Sequence, residues 1–256
     1  VRALRGRGQT VAIAAVDPSS RASGGALLGD RIRVRGSGAD PGVFVRSMAS
    51  RDRLGGVSEA ARAGVAIFAA AFDQVFVETV GVGQSESEVA GMVDSLVYVA
   101  NPASGDELQF MKAGLLELPD IFCVNKADLG APARRTASEL ESALALSPVG
   151  DDGWTPPVLL VSARDGVGID ALLDAIADHR RHADASGSLL QRRRDGAVDH
   201  VITALRERYG SFGLERVGGE AALRQRLRAD AETTSFHRIE ILSREVEDAL
   251  AKPPAR

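Results

Sequence analysis

The 256-residue chain predicts a doubly wound α/β domain, its sheet mostly parallel, followed by a helical C-terminal extension. Three observations carry this. Apolar, β-branched runs recur at 10–16, 74–79, 95–100, 121–125 and 157–162. Each is short, almost continuously hydrophobic and followed by a polar or glycine-rich turn, the pattern of strands covered by helices on both faces. Segments with helical character lie between them, at 57–71, roughly 106–118, 133–146 and 168–182, and such alternation builds a parallel sheet with ligands held beyond the carboxyl ends of its strands. Past residue 184 no strand candidate follows.

The strands and helices up to residue 184 are expected to form the main domain, and 185–256 a helical region. Ser186-Gly187-Ser188 reads as a linker. Apolar residues then recur at helical spacing over 189–209, 219–231 and 235–251. Val198, Val201, Ile202 and Leu205 mark one stripe, and Ile239, Leu242, Val246 and Leu250 another. These stripes can pack on the main domain or on a second copy; their length, outside the sheet, favours a homodimer. Pro253-Pro254 opens a tail.

Hydrophobic residues make up 45% and charged residues 26% of the chain, the balance of an ordinary globular protein with a sizeable core. A net charge of −4 gives no bulk attraction for nucleic acid or an anionic membrane surface. No apolar run reaches the roughly 18 residues of a membrane helix. The single cysteine rules out an intrachain disulfide and points to a reducing, cytoplasmic setting. The chain opens on Val1, with basic residues and no apolar signal core, so residues are expected to precede it. Three of 31 basic residues are lysines, which makes Lys112 and Lys126 candidates for sites needing a compact ammonium rather than a forked guanidinium.

The most informative loop is Asn125-Lys126-Ala127-Asp128, directly after Ile121-Phe122-Cys123-Val124. A carboxylate at Asp128 can accept parallel hydrogen bonds from guanine N1–H and its 2-amino group, a donor pair that adenine does not present. Asn125 would brace neighbouring loops, and the Lys126 stem would lie along the base. A strand later, Val161-Ser162-Ala163 offers a backbone N–H for guanine O6, and Arg164 is counted with that base-binding loop. Glu78 closes the 74–79 strand ahead of Thr79-Val80-Gly81-Val82-Gly83-Gln84. A strand-end acid there can anchor magnesium on nucleotide phosphates, or cap a following helix. Gly81, lacking a Cβ, can turn its N–H to a terminal phosphate. Gln84 can position a water or start a helix. Asp17 can bind a metal or its waters, or begin a turn; Asp30 lies in a glycine-rich segment. Residues 31–56 have the low core density of a switch loop or of plain disorder. Lys112, in the charged loop 105–112, can meet a switch carboxylate or a phosphate. Cys123 reads as a core thiol, His179 and His182 as surface histidines rather than metal ligands, and His200, His237 and Trp154 carry no readable role.

With these loops in view, the chain resembles the cobalamin-mutase chaperone GTPases, the methylmalonyl-CoA mutase-associated group within the metallocentre-assembly GTPases, and so a P-loop NTPase-like fold. The resemblance rests on Ala15-Val16-Asp17-Pro18-Ser19-Ser20, Leu28-Gly29-Asp30, Gly105-Asp106-Glu107-Leu108-Gln109 with Lys112, and above all Glu78-Thr79-Val80-Gly81-Val82-Gly83-Gln84-Ser85-Glu86. It implies that Asp17, Asp30 and Glu78 surround magnesium and the phosphates of GTP or GDP. It places switch I at 29–56, switch II at 81–88 and a mutase-coupled loop at 105–112. It also implies a homodimer through the C-terminal helices and an adenosylcobalamin-dependent acyl-CoA mutase as partner.

One departure stands out: the 256 residues contain no Gly-x-x-x-x-Gly-Lys-Ser/Thr, the loop whose backbone N–H groups and lysine cradle phosphates. Val1-Arg2-Ala3-Leu4 reads as the end of the helix that follows such a loop. The expectation is a chain that reads the base and holds triphosphate poorly, within a parent protein that hydrolyses GTP. Two rival readings are a GTPase that delivers a metal such as nickel, and a dimeric nucleotide-binding scaffold without turnover.

Overall fold

The computed structural model describes residues 1–17, 40–49, 58–79, 86–102, 115–146, 152–230 and 233–251. They group into two compact units, Val1–His182 and Ala183–Arg256.

In the first unit a short helix, α1 (Arg2–Gly6), leads into β1 (Val11–Asp17). β1 pairs in parallel with β2 (Val43–Ala49) on one side and β3 (Gln74–Thr79) on the other, aligning Ile13 with Val45 and Phe76. The amino ends are tied by polar contacts: Thr10 donates from its backbone N–H and its hydroxyl to Asp73 Oδ2, each at 2.8 Å. Arg5 forks onto both Asp40 oxygens at 2.9 Å, which holds the Asp40 carboxyl below its usual range, helped by the Gly42 N–H.

Helix α2 (Glu59–Ala71) starts where Ser58 accepts the Ala61 N–H at 3.2 Å and Glu59 favours the positive end of the helix dipole. Its inward stripe of Ala61, Val65 and Phe68 lies over Ala12, Ala14, Val16 and Val77, with Val75 and Met48 packed at the edges. Phe44 of β2 meets the Phe68 ring edge-on at 5.1 Å.

After α3 (Glu86–Ala90), the strands β4 (Val97–Ala100), β5 (Ile121–Val124) and β6 (Val158–Leu160) form a second parallel ladder in the order β4-β5-β6. All four β5 residues are buried. Helix α4 (Ala131–Leu144), with proline in its first turn, sets Ala133, Ala137 and Leu140 against Phe122, Val124 and Ala100. The architecture is thus α/β with parallel strands, as predicted.

Two expectations are corrected here, and a third lies mostly outside the described residues. Residues 31–56 are not loop throughout: Val43–Ala49 is a strand paired along its whole length with β1. Its Phe44 and Arg46 are exposed, so the mixed composition of an outer strand hid it. Of the helix expected at 106–118 only the last residues are described, as a 3-10 turn at Leu115–Glu117. And His179 is no surface histidine. It is fully buried on α5 (Ile169–Ser186), with Nδ1 2.6 Å from Ser95 Oγ and Nε2 3.2 Å from Asp120 Oδ1. Asp120 Oδ2 accepts the Leu96 N–H at 2.7 Å. Trp154 Nε1–H donates to the Asp120 carbonyl at 2.8 Å, and its ring lies against His179 and His182. His182, half-buried, reaches the Asp152 carbonyl at 2.9 Å. These groups clasp the amino ends of β4 and β5 to α5.

The second unit is helical: α6 (Ser188–Glu215), α7 (Gly219–Ala229) and α8 (Ser235–Ala251). Ser186-Gly187-Ser188 is not an extended linker. Gly187 alone, at φ 78°, breaks the helical backbone between α5 and α6, a left-handed position that suits glycine. The two apolar stripes meet each other: Val198, Val201, Ile202 and Leu205 pack with Leu223, Leu227, Ile239 and Leu242 in one core. The sequence leaves these stripes to pack on the main domain or on a second copy; in the structure they bury each other within the unit instead, apart from exposed Leu250. His200, without a role in sequence, is buried beside Phe236 with Nδ1 2.9 Å from Ser235 Oγ. Among the described residues no helix is long and apolar enough to cross a membrane.

Two outcomes follow. Asp120→Ala should lower unfolding free energy by about 3 kcal/mol, because it strips His179 and the Leu96 N–H of a buried partner; an unchanged urea midpoint would show that this clasp adds no stability. Burial pushes the Cys123 thiol up to about 11, from an ordinary 9.0. The folded state favours the neutral thiol, so the contribution of Cys123 is complete below pH 9 and is lost as pH rises toward 11. Iodoacetamide at pH 8 should therefore modify Cys123 quickly in urea and hardly at all in the folded chain, with mass spectrometry as the readout.

Candidate nucleotide-binding site

Parallel pairing brings the carboxyl ends of β4, β5 and β6 together, and the loops leaving them interlock. β5 gives way to Asn125, whose N–H donates to the Ala100 carbonyl at 2.9 Å, and the Ala127 N–H donates to the Val161 carbonyl at 3.0 Å. Between them Lys126 takes a left-handed conformation at φ 58°, the one non-glycine residue with positive φ among those described. That conformation costs a side-chain-bearing residue about 1 kcal/mol and turns the chain at once into the 3-10 segment Ala127–Leu129. Such strain concentrates at functional loops.

The turn carries Asp128 to the loop after β6. Asp128 Oδ1 accepts the Ser162 hydroxyl at 2.7 Å, and Oδ2 lies 3.1 Å from Arg164 Nη1. The side chain is 11% exposed. Asn125 Oδ1 accepts the Ala163 N–H at 3.2 Å, so Asn125 braces the neighbouring loop. The Ser162 hydroxyl also accepts the Asp165 N–H at 3.2 Å, and its carbonyl accepts the Gly166 N–H at 2.8 Å. Gly168 closes this loop at φ 75°, and a Cβ there would lie 2.3 Å from the Leu160 carbonyl oxygen. No larger residue fits without moving the backbone of β6. The structure therefore brings Asn125, Asp128, Ser162, Ala163 and Arg164 into one hydrogen-bonded pair of loops, with Lys126 exposed at its turn.

Asp165 was not singled out in the sequence. Arg164 forks onto it through Nε and Nη2 at 2.8 and 3.0 Å, and that fork holds the Asp165 carboxyl below its usual range. The available signal was an Arg-Asp pair in a turn closed by Gly166 and Gly168.

The acidic group is only partly described. Asp17 ends β1, and Glu78 sits in the neighbouring β3, where Ala15 pairs with Glu78 and Val16 with Thr79. Both therefore lie at the carboxyl edge of the same ladder, with Glu78 exposed. Oxygen donors of this kind suit a hard divalent cation, but among the described residues no group of three potential ligands forms. Asp30, Gly81, Gln84 and Lys112 lie outside the described residues.

Comparison with known proteins bears on the same loops. Residues 1–211 match the family described as methylmalonyl Co-A mutase-associated GTPase MeaB. A Pyrococcus horikoshii protein that carries a GTPase name is 43% identical over 208 residues, which is 80% of this chain and 65% of that protein. GTPase ArgK of Escherichia coli is 41% identical, over 75% of this chain and 59% of its own length. The mouse methylmalonic aciduria type A homolog, mitochondrial, is 39% identical over 74% of this chain and 46% of its length. The chain thus spans less than two thirds of these relatives. Among solved structures, HypB from Helicobacter pylori in complex with nickel superposes with a TM-score of 0.50 at 14% identity, over 68% of this chain and 76% of that one; at that identity the likeness speaks for the fold alone. The family match covers most of the chain, including the loops after β5 and β6 and the acidic strand ends, and the chain belongs to the methylmalonyl Co-A mutase-associated GTPase family.

Proposed function

We propose that this chain is the base-reading part of a GTP-binding and GTP-hydrolysing chaperone, one that gates adenosylcobalamin loading of a methylmalonyl-CoA-type mutase and protects that mutase. The observation that carries the nucleotide assignment is the Asp128 carboxylate, fixed by the Ser162 hydroxyl at 2.7 Å beside a loop braced by Asn125. A carboxylate held in place can accept the paired donors of guanine with little reorganisation. The mutase assignment is supported by the family description and by the name of the mouse relative.

In this reading the division of labour follows the chain: 1–184 handles nucleotide, and 185–256 joins two copies, for which exposed Leu190, Phe212 and Ile241 are the available apolar contacts. Asp17 and Glu78, with Asp30, would hold magnesium, whose charge would offset that of the phosphates. Hydrolysis belongs to the whole protein, as in-line attack of water on the γ-phosphate. Lone Cys123, buried and reduced, suits a cytoplasmic protein.

Asp128→Asn exchanges an acceptor for a donor opposite the 2-amino group of guanine, where xanthine presents an oxygen. Competition binding should show guanine nucleotide weakened by about 100-fold, with xanthine nucleotide now preferred; an unchanged guanine preference would remove Asp128 from base reading. For the partner, gel filtration of the protein with an adenosylcobalamin-dependent methylmalonyl-CoA mutase should give a complex whose amount differs between GDP and a GTP analogue. Co-elution with neither nucleotide would exclude the chaperone assignment and leave a GTPase of other purpose.

A further inference from the structure

The two ladders of the first unit end on edges of two kinds. Among the described residues each ladder has three strands, in the orders β2-β1-β3 and β4-β5-β6, so β2, β3, β4 and β6 each present one open edge. Natural sheets blunt such edges with charge or proline, because a bare edge pairs with any strand that reaches it. β2 carries exposed Arg46, and β6 is entered through Pro156-Pro157. Apart from Glu78 near its end, β3 has neither device, and Val97-Tyr98-Val99-Ala100 of β4 has none at all.

Backbone alternation shows which groups these edges present. The Gln74 N–H donates to the Thr10 carbonyl at 3.1 Å, so Gln74, Phe76 and Glu78 face β1 while Val75, Val77 and Thr79 face outward. The Ile121 N–H reaches the Leu96 carbonyl at 3.3 Å, and the Asn125 N–H the Ala100 carbonyl at 2.9 Å. The same alternation then turns the backbone groups of Val97 and Val99 away from β5. The side chains beside these edges are apolar, with Val99 52% and Phe76 37% exposed. Both edges belong to one neighbourhood: Val77 of β3 and Leu96, just ahead of β4, pack against the same buried Val16, Ala61 and Val89. β3 and β4 are also joined through α3, as a crossover joins parallel strands.

What fits between them follows from α1. Leu4 of this helix is buried, and its carbonyl accepts the Gln9 N–H at 3.1 Å on the way into β1. A helix that delivers the chain to the amino end of a buried parallel strand is the second half of a strand–helix–strand crossover, whose first strand lies parallel in the same sheet. β1 already has β2 and β3 beside it, so that first strand meets the sheet at an edge, and the edge without an exposed arginine is β3. We propose that β3 and β4 flank a strand-binding site. A parallel, uncharged, β-branched strand of about five residues, from the same polypeptide ahead of α1, pairs with both edges and makes one sheet of the two ladders. Valines on either side suit such a strand through cross-strand packing. This strand site does not depend on base reading by Asp128.

The test is amide hydrogen exchange, read residue by residue by NMR, on the 256-residue chain and on the protein extended through its own residues ahead of Val1. In the 256-residue chain, Val75, Val77, Thr79, Val97 and Val99 should exchange about 100-fold faster than Phe76 and Tyr98, which face their ladder partners. In the extended protein those five amides should slow by about 100-fold, with NOEs linking Val77 and Val99 to the same upstream residues. Val99→Lys should lower the urea midpoint of the extended protein and leave that of the shorter chain in place. Five amides that stay fast in the extended protein, or that slow without such NOEs, overturn the proposal. Protection already present in the shorter chain overturns it equally, and if that protection grows with concentration it assigns the edges to a second copy. The NOEs in the extended protein decide the matter even if the shorter chain does not fold alone.

Discussion

Burial of β5 on both faces is the constraint from which the nucleotide-side architecture follows. Ile121, Phe122, Cys123 and Val124 are each at most 3% exposed. Backbone polar groups at such depth must be paired, and the parallel ladders to β4 and β6 pair them. That satisfaction fixes the register, and the register fixes where the two base-side loops emerge. The Asn125 N–H to Ala100 and the Ala127 N–H to Val161 extend the ladder one step past the strand end, so the loops inherit the rigidity of the sheet.

The opposite ends of these strands are held by a different kind of contact. Asp120, immediately before β5, collects the Leu96 N–H, the His179 ring and, through its carbonyl, the Trp154 indole. A carboxyl group this deep is costly unless it is paired, and the Leu96 N–H with the adjacent His179 ring supplies that pairing. The strands are thus fastened at their amino ends by a buried polar cluster and at their carboxyl ends by loop-to-loop hydrogen bonds. A carboxylate at the reading end can then meet a planar base with little reorganisation, which is how a positioned acceptor gains selectivity.

What could be read in advance follows the range of the interactions involved. β1, β3 and β5 are legible because continuous apolar runs over several residues leave few alternatives to a buried strand. The proposed guanine loop is legible because Asn125, Lys126 and Asp128 are neighbours in sequence within one turn. β2 was missed because Val43–Ala49 carries Arg46 and Ser47 and is covered less completely, so that its hydrophobic pattern is interrupted. His179 was misread for another reason. Its partners Ser95 and Asp120 are far away in sequence, and Arg180 and Arg181 beside it gave the local appearance of a solvated helix face.

By itself the sequence determined the parallel α/β class and the helical C-terminal part, since both rest on short-range patterns of apolar and polar residues. Only the tertiary structure decided that the C-terminal apolar stripes bury each other, that His179 completes a buried clasp, and that Arg164 divides its nitrogens between Asp128 and Asp165. Each of those depends on which groups the folded chain brings into contact, within about 3 Å for a hydrogen bond and about 4 Å for apolar side chains. No local pattern encodes that distance between residues far apart in sequence.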